Sequence, residues 1–454
     1  MRSLWFETAL LTDGWAKAVR LTLDGGVIAR VERDAAPAPA DERHSVAVPG
    51  LCNVHSHAFQ RGMAGLTEYR GPTADNFWTW RELMYQFLDR IAPEDVEAIA
   101  AQAYVEMLET GFTRVGEFHY LHHDANGAPY ADIAEMAHRI VAAAGETGIG
   151  LTLLPVFYAH GDFGGAAPSP GQRRFLNDPD RFARLFDASR AALAPLPDAN
   201  LGVAPHSLRA VTPEELAQIR ALAPNGPVHA HAAEQTREVD DCVAWSGRRP
   251  VEWLLENAAV DRSWCLIHAT HLTPAETQGL AASGAVAGLC PITEANLGDG
   301  FFPTRDFLAA GGQFGVGTDS NILIDPAQEL RGLEYAQRLS LRARNVLGSP
   351  DRPSTGASLF VGALEGGAKA LGQSTSGLSI GASADIVSLD PEHLALYGRT
   401  GDALLDGWLF AASTPGVVKT VWRGGDRVVA DGRHRDAERI GRRYRQTLDR
   451  LLQA

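Results

Sequence analysis

Hydrophobic and polar positions along this chain fall into two textures. From residue 3 to about 48 they alternate with a period of two, in short runs at 4–6, 18–23 and 27–31, with Asp24-Gly25-Gly26 between the last two. Alternation broken by Asp-Gly-Gly predicts strands joined by a hairpin. The proline- and alanine-rich residues 35–40 predict a loop. The same texture returns at 384–389, 417–422 and 427–430, with Arg423-Gly424-Gly425-Asp426 as a turn. Neither β segment is long enough to fold alone, which predicts that the two termini pair into one small sheet domain. Residues 435–452 have helical spacing and many arginines and predict a solvated terminal helix.

Between these ends, short apolar runs alternate with longer helical patterns. Eight runs read as strands: 48–57, 113–118, 150–156, 201–205, 227–230, 263–268, 285–290 and 314–318. Helical spacing at 93–110, 130–147, 179–193, 212–222, 250–257 and 274–283 separates most of them. Eight β/α repeats predict an α/β fold, a distorted TIM (β/α)8 barrel with a small β-sandwich-like domain built from both termini. The expected domains are 1–48 and 375–454 for the small β domain and its terminal helix, and 49–374 for the barrel. A doubly wound open sheet is the alternative, but no G-x-G-x-x-G follows any strand.

Composition narrows the function. A chain of 454 residues exceeds a single core, as the two-domain reading requires. Its 45% hydrophobic and 21% charged content is that of a globular enzyme. A net charge of −14 argues against nucleic acid or an anionic membrane as the main partner. An anionic substrate would therefore need a local cluster of arginines. Cys52, Cys242, Cys265 and Cys290 are scattered, with no C-x-x-C, and read as reduced thiols. No apolar signal core opens the chain and no run of about eighteen apolar residues occurs, which predicts a soluble, cytoplasmic protein.

Candidate chemistry gathers at the ends of the expected strands, where a barrel puts its active site. His55-Ser56-His57 closes the first. In a strand, residues two apart point to the same face, so the two imidazoles lie side by side and make half of a zinc site. His206 follows the fourth run and His231 the fifth, His268 closes the sixth, and Asp319 follows the eighth. His231-Ala232-Ala233-Glu234 adds a carboxylate three residues past a histidine. Such a group can reach a metal-activated water without occupying a coordination position, which suits a proton shuttle.

This pattern resembles the metal-dependent amidohydrolase superfamily over essentially the whole chain. The resemblance implies that His55, His57, His231 and Asp319 are metal ligands, that Glu234 is the proton shuttle of the deaminase branch, and that His268 and Asp319 orient the attacking hydroxide. The dinuclear branch bridges its metals with a carboxylated lysine. Only Lys17, Lys369 and Lys419 are present among 41 basic residues, none on the expected barrel strands. One Zn²⁺ per subunit is expected, although Glu117, near the end of the second strand, offers the carboxylate bridge that some members use.

Four stretches resemble the formimidoylglutamate deiminase family more narrowly: residues 55–61, Trp78-Thr79-Trp80-Arg81, Pro205-His206-Ser207-Leu208-Arg209 and residues 229–235. The resemblance implies hydrolysis of N-formimidoyl-L-glutamate to N-formyl-L-glutamate and ammonia in histidine degradation, by a homodimer. Arg81, expected on a long loop, and Arg209 become carboxylate clamps, as a guanidinium fork suits a carboxylate. Gln60, Tyr120 and His206 become further polar contacts. The alternatives are a related aminohydrolase acting on a nucleobase or another N-formimidoyl amino acid, and an inactive barrel serving as a scaffold.

Overall fold

The computed structural model describes residues 1–71, 75–413 and 416–453. Both termini build one eight-stranded sheet. Arg2–Leu11, Gly14–Asp24, Val27–Glu32 and Glu42–Pro49 come from the start of the chain, and Ile386–Leu389, Val418–Arg423, Asp426–Ala430 and Arg433–His434 from its end. The two halves meet where Glu42–Pro49 pairs antiparallel with Ile386–Leu389. Leu4, Phe6, Val19, Leu21, Ile28, Ile386 and Trp422 form a core of their own beneath this sheet. The helix Ala437–Leu452 closes the chain.

The other sheet is the barrel. Its parallel strands are Leu51–Ser56, Phe112–His119, Gly150–Phe157, Asn200–Leu201 with Ala204–Pro205, Val228–Ala232, Trp264–His268, Val286–Leu289 and Gln313–Val316. The eighth pairs with the first, and a parallel bridge between Val203 and Val228 joins the fourth to the fifth, so the ring closes. Strands one, two, three, five, six and seven are buried at every position, as expected of a parallel sheet covered by helices.

Several helices begin at the proline that marks them in the sequence: Pro93–Thr110, Pro179–Ala192, Pro213–Ala221, Pro250–Asn257 and Pro274–Ser283. Proline suits the first helical position because its missing N–H has no partner there in any case. Three expectations need correction. The run 48–57 is not one strand, since Gly50 divides the terminal sheet from the barrel. A Cβ on Gly50 would stand 2.2 Å from the Thr113 side chain, so only glycine lets the first two barrel strands approach there. The helix expected from residue 130 begins at Glu135, after Asp132 takes the Ala134 N–H into a turn. Trp78 and Arg81 do not lie on a loop but on the helix Phe77–Leu88, started by Asn76, whose side chain accepts from Trp78 and Thr79 N–H.

Among the described residues no helix is long and apolar enough to cross a membrane. All four cysteines are free and buried.

Candidate metal centre and substrate cavity

His55 is buried inside the first strand, and His57 follows it directly, with ring centroids 4.6 Å apart. The eighth strand runs against the first so closely that a Cβ on Gly317 would stand 2.8 Å from the His55 backbone. Asp319 N–H then donates to His55 O and His57 N–H to Asp319 O, each at 2.9 Å. Asn321 fastens the same corner by donating to the His57 and Asp319 carbonyls.

Four side-chain atoms converge inside this corner. His231 Nε2 lies 3.1 Å from His55 Nε2, and Asp319 Oδ1 lies 3.4 Å from His55 Nε2 and 3.3 Å from His57 Nε2. Two donors on a tetrahedral zinc, each at ~2.0–2.1 Å, stand about 3.3 Å apart. The backbone sets the tautomers. His57 Nδ1–H donates to Phe118 O at 3.0 Å and His231 Nδ1–H to His206 O at 3.1 Å. A carbonyl only accepts, so both Nε2 lone pairs point inward, in the arrangement metal-ligating histidines use. Burial pulls His55 down to about 3 and His231 well below its usual value, so both rings are neutral and free to coordinate. Burial pushes the Asp319 carboxyl up, but the contact with His55 and the charge of His268 hold it well below the carboxylate range. Three neutral imidazoles and one carboxylate, all buried, fit a single divalent cation.

No lysine reaches the centre to bridge a second metal. Lys369 donates to Gly284 O and Gln313 Oε1, and Lys17 and Lys419 lie on strands of the terminal sheet. Each Glu117 oxygen accepts one hydrogen bond, from Ala58 N–H at 2.7 Å and from the Tyr104 hydroxyl at 3.1 Å.

Next to the centre, Glu234 reaches within 3.8 Å of His268 Nε2 and 3.9 Å of Arg209 Nη2, while His268 Nε2 stands 3.7 Å from Asp319. His268 Nδ1 donates to Glu294 at 3.2 Å, which turns Nε2 toward the cavity. Burial raises Glu234 to about 7, against the opposing charges of His268 and Arg209. Backbone strain concentrates here: Ala233, His268, Ala269 and Asp319 all have φ between 45° and 66°. Non-glycine residues in this region cost about 1–3 kcal/mol each, and they cluster where a fold must aim side chains.

The cavity above the centre is lined by all five expected contacts, Gln60, Arg81, Tyr120, His206 and Arg209. Gln60 Nε2 donates to the Tyr120 hydroxyl at 2.8 Å, leaving its own Oε1 buried without a partner. Arg209 is 6% exposed, and the Nε atoms of both Arg209 and Arg81 are buried without partners. The Arg81 guanidinium stacks 4.4 Å over Trp78, and that of Arg209 lies 5.9 Å from the same ring. Arg81 has no ion pair among the described residues, so two guanidinium groups face the cavity with bonding capacity to spare. His206, pulled well below its usual value by burial and the Arg209 charge, is neutral. Phe77, Trp80, Met84, Tyr85, Tyr158 and Phe175 complete the walls. In the sequence Met84, Tyr85, Tyr158 and Phe175 are ordinary core residues, whereas Phe77 and Trp80 flank or belong to the stretch that carries the resemblance. Glu294 was also missed, because a glutamate in a helical stretch reads as solvated unless burial is known.

Comparison with known proteins finds relatives along the whole chain. The model of the "Amidohydrolase family" matches residues 46–428, and that of the "Formimidoylglutamate deiminase HutF, N-terminal domain" matches residues 1–45. A formimidoylglutamate deiminase of Pseudomonas aeruginosa is 51% identical over 454 residues, covering all of both chains. A 5-methylthioadenosine/S-adenosylhomocysteine deaminase of Natronomonas pharaonis is 29% identical, over 82% of this chain and 79% of its own. The crystal structure of an amidohydrolase from Brucella melitensis superimposes with a TM-score of 0.96 at 57% identity, covering both chains fully. An adenosine deaminase from Xanthomonas campestris, crystallised with bound zinc, shares the fold with a TM-score of 0.82 at 24% identity, over 100% of this chain and 98% of its own. By sequence along its whole length and by fold, this chain belongs to the formimidoylglutamate deiminase family of amidohydrolases.

Proposed function

We propose that this enzyme hydrolyses N-formimidoyl-L-glutamate to N-formyl-L-glutamate and ammonia, a step of histidine degradation. The observation that carries the reading is one cavity holding a four-ligand centre, a buried glutamate and two under-bonded guanidinium groups. A substrate with two carboxylates and one amidine fills each of these needs. The 51% identity to a deiminase of that name supports it.

His55, His57, His231 and Asp319 would hold one Zn²⁺. When bound, zinc supplies an activated water at neutral pH by lowering its pKa to roughly 7. Glu234 accepts the proton of the attacking water as the C–O bond forms at the formimidoyl carbon. His268 and Asp319 orient that water. Glu234 then returns that proton to the amidine nitrogen and relays the remaining hydroxyl proton to it as the C–N bond breaks, so that the formyl C=O forms and ammonia leaves. Arg81 and Arg209 grip the two carboxylates, while Gln60, Tyr120 and His206 make the remaining polar contacts. Fixing the substrate at both ends converts binding into positioning at the reacting carbon.

The same proposal makes the protein a cytoplasmic homodimer. Its buried, unpaired cysteines suit a reducing compartment, and sedimentation analysis checks the dimer. The activity is tested by ammonia release from N-formimidoyl-L-glutamate, N-formimidoyl-L-aspartate and adenosine. The glutamate substrate is expected to give the highest kcat/KM, and turnover only of adenosine would overturn the assignment.

A further inference from the structure

Glu238 is a buried carboxylate that the reaction above does not use. It is 1% exposed and stands third in the helix Thr236–Ser246, whose N-cap residue, Gln235, makes no side-chain cap. A glutamate at the third helical position ordinarily reaches back to the N–H of the N-cap residue. Glu238 reaches further. Its Oε1 accepts from Ala233 N–H and its Oε2 from Glu234 N–H, both at 3.1 Å. Those amides flank the point where the chain leaves the fifth strand through Ala233, at φ +52°, a conformation alanine seldom adopts. On the other side, Ala233 O accepts from His271 N–H at 3.1 Å. The strained residue is therefore held from both directions, and the side chain that follows it is Glu234. Among the charges acting on Arg209, that of Glu238 is the largest favourable one.

We propose that Glu238 is the positioning residue for Glu234, clamping the two amides that set where the Glu234 carboxylate stands between Arg209 and His268. The inference rests on Glu234 as the proton-transferring group. A merely structural Glu238, serving as a helix-start residue, would affect stability and leave turnover per folded molecule alone.

The test compares wild type, Glu234→Gln, Glu238→Gln and Glu238→Gln/Ala233→Gly in the zinc-loaded enzyme, with zinc content and Tm measured for each. Glutamine keeps the shape of Glu238 but only one accepting atom. Glu238→Gln is expected to bind one zinc per chain and to lose at least ~10-fold in kcat, since a misplacement near 1 Å can cost about 10²-fold. Glycine takes a positive φ without strain, so the double variant should recover at least about threefold of that loss. A Glu238→Gln enzyme with lowered Tm but wild-type kcat would overturn the inference. If Glu238→Gln does not fold, Glu238→Asp, which keeps the charge but is one carbon too short to hold both amides, takes its place: a folded enzyme with wild-type kcat overturns the inference, and one with depressed kcat upholds it. Wild-type turnover by Glu234→Gln would instead sink the role of Glu234 itself, so the two failures are distinguishable.

Discussion

Replacing Arg209 by methionine isolates the carboxylate grip. Arg209 packs against Phe77 and Trp78, with its guanidinium 6.0 and 5.9 Å from their rings, and methionine can keep that apolar contact without leaving an unpaired donor. Among the described residues the nearest carboxylate oxygen is Glu234 Oε2 at 3.9 Å, too distant for a hydrogen bond, so a ligand carboxylate meets little internal competition. Hydrogen bonds to charged groups contribute about 1.5–3 kcal/mol. At 1.36 kcal/mol per tenfold, losing that contact raises KM for N-formimidoyl-L-glutamate roughly 10- to 150-fold. Arg209 also lowers the pKa of Glu234, so its loss moves the onset of activity to higher pH. Coupled ammonia release followed across pH up to 9 separates the two effects, the KM change persisting on the plateau above the Glu234 limb. There, kcat should stay within about fivefold of wild type, because the substrate amidine still meets Glu234 and the metal centre. A carboxylate-free amidine such as N-propylformamidine should be turned over equally well by both enzymes. An equal loss on that substrate would refute the grip.

Glu234→Gln should keep its zinc and lose at least ~10² in kcat, since glutamine cannot accept the proton; metal analysis and ammonia release read both. Because burial raises Glu234 to about 7 and a base must be ionised, kcat/KM should be present above that pH and fall as pH drops through it. A bound cation favours the carboxylate, so the limb should lie at or below pH 7, and one near 9 would contradict the assignment. Gly50→Ala should destabilise by about 1–3 kcal/mol, because the new methyl meets Thr113 between packed strands. It should appear as a lowered Tm with little change in kcat per folded molecule.

The order of strands and helices was legible wherever the chain punctuates itself. Pro93, Pro250 and Pro274 each open a helix at the expected residue, and the glycine-bearing turns mark the terminal strands. The helix Phe77–Leu88 was not legible, since its aromatic Phe-Trp-Thr-Trp start has no proline and its signal is the single capping residue Asn76. The fourth strand breaks into two short pieces at residues 202–203, where Gly202 N–H donates to Leu153 O in the third strand but Val203 N–H donates to Pro227 O beside the fifth.

At the site, the convergence of His55, His57, His231 and Asp319 beside Glu234 was readable because a barrel gathers the ends of distant strands, so sequence position implies spatial position. Glu238 and Glu294 were not, because their roles depend on which backbone atoms lie across the fold. Tyr158 and Phe175 line the cavity rather than fill a core, and periodicity treats the two alike.

Zinc titration of the chelated enzyme, followed by ammonia release from N-formimidoyl-L-glutamate, tests most directly whether one buried centre drives the hydrolysis. Activity should be absent after chelation, rise linearly with added zinc and break at one equivalent per chain. Full activity without metal, or a break at two equivalents, would contradict a single centre of His55, His57, His231 and Asp319.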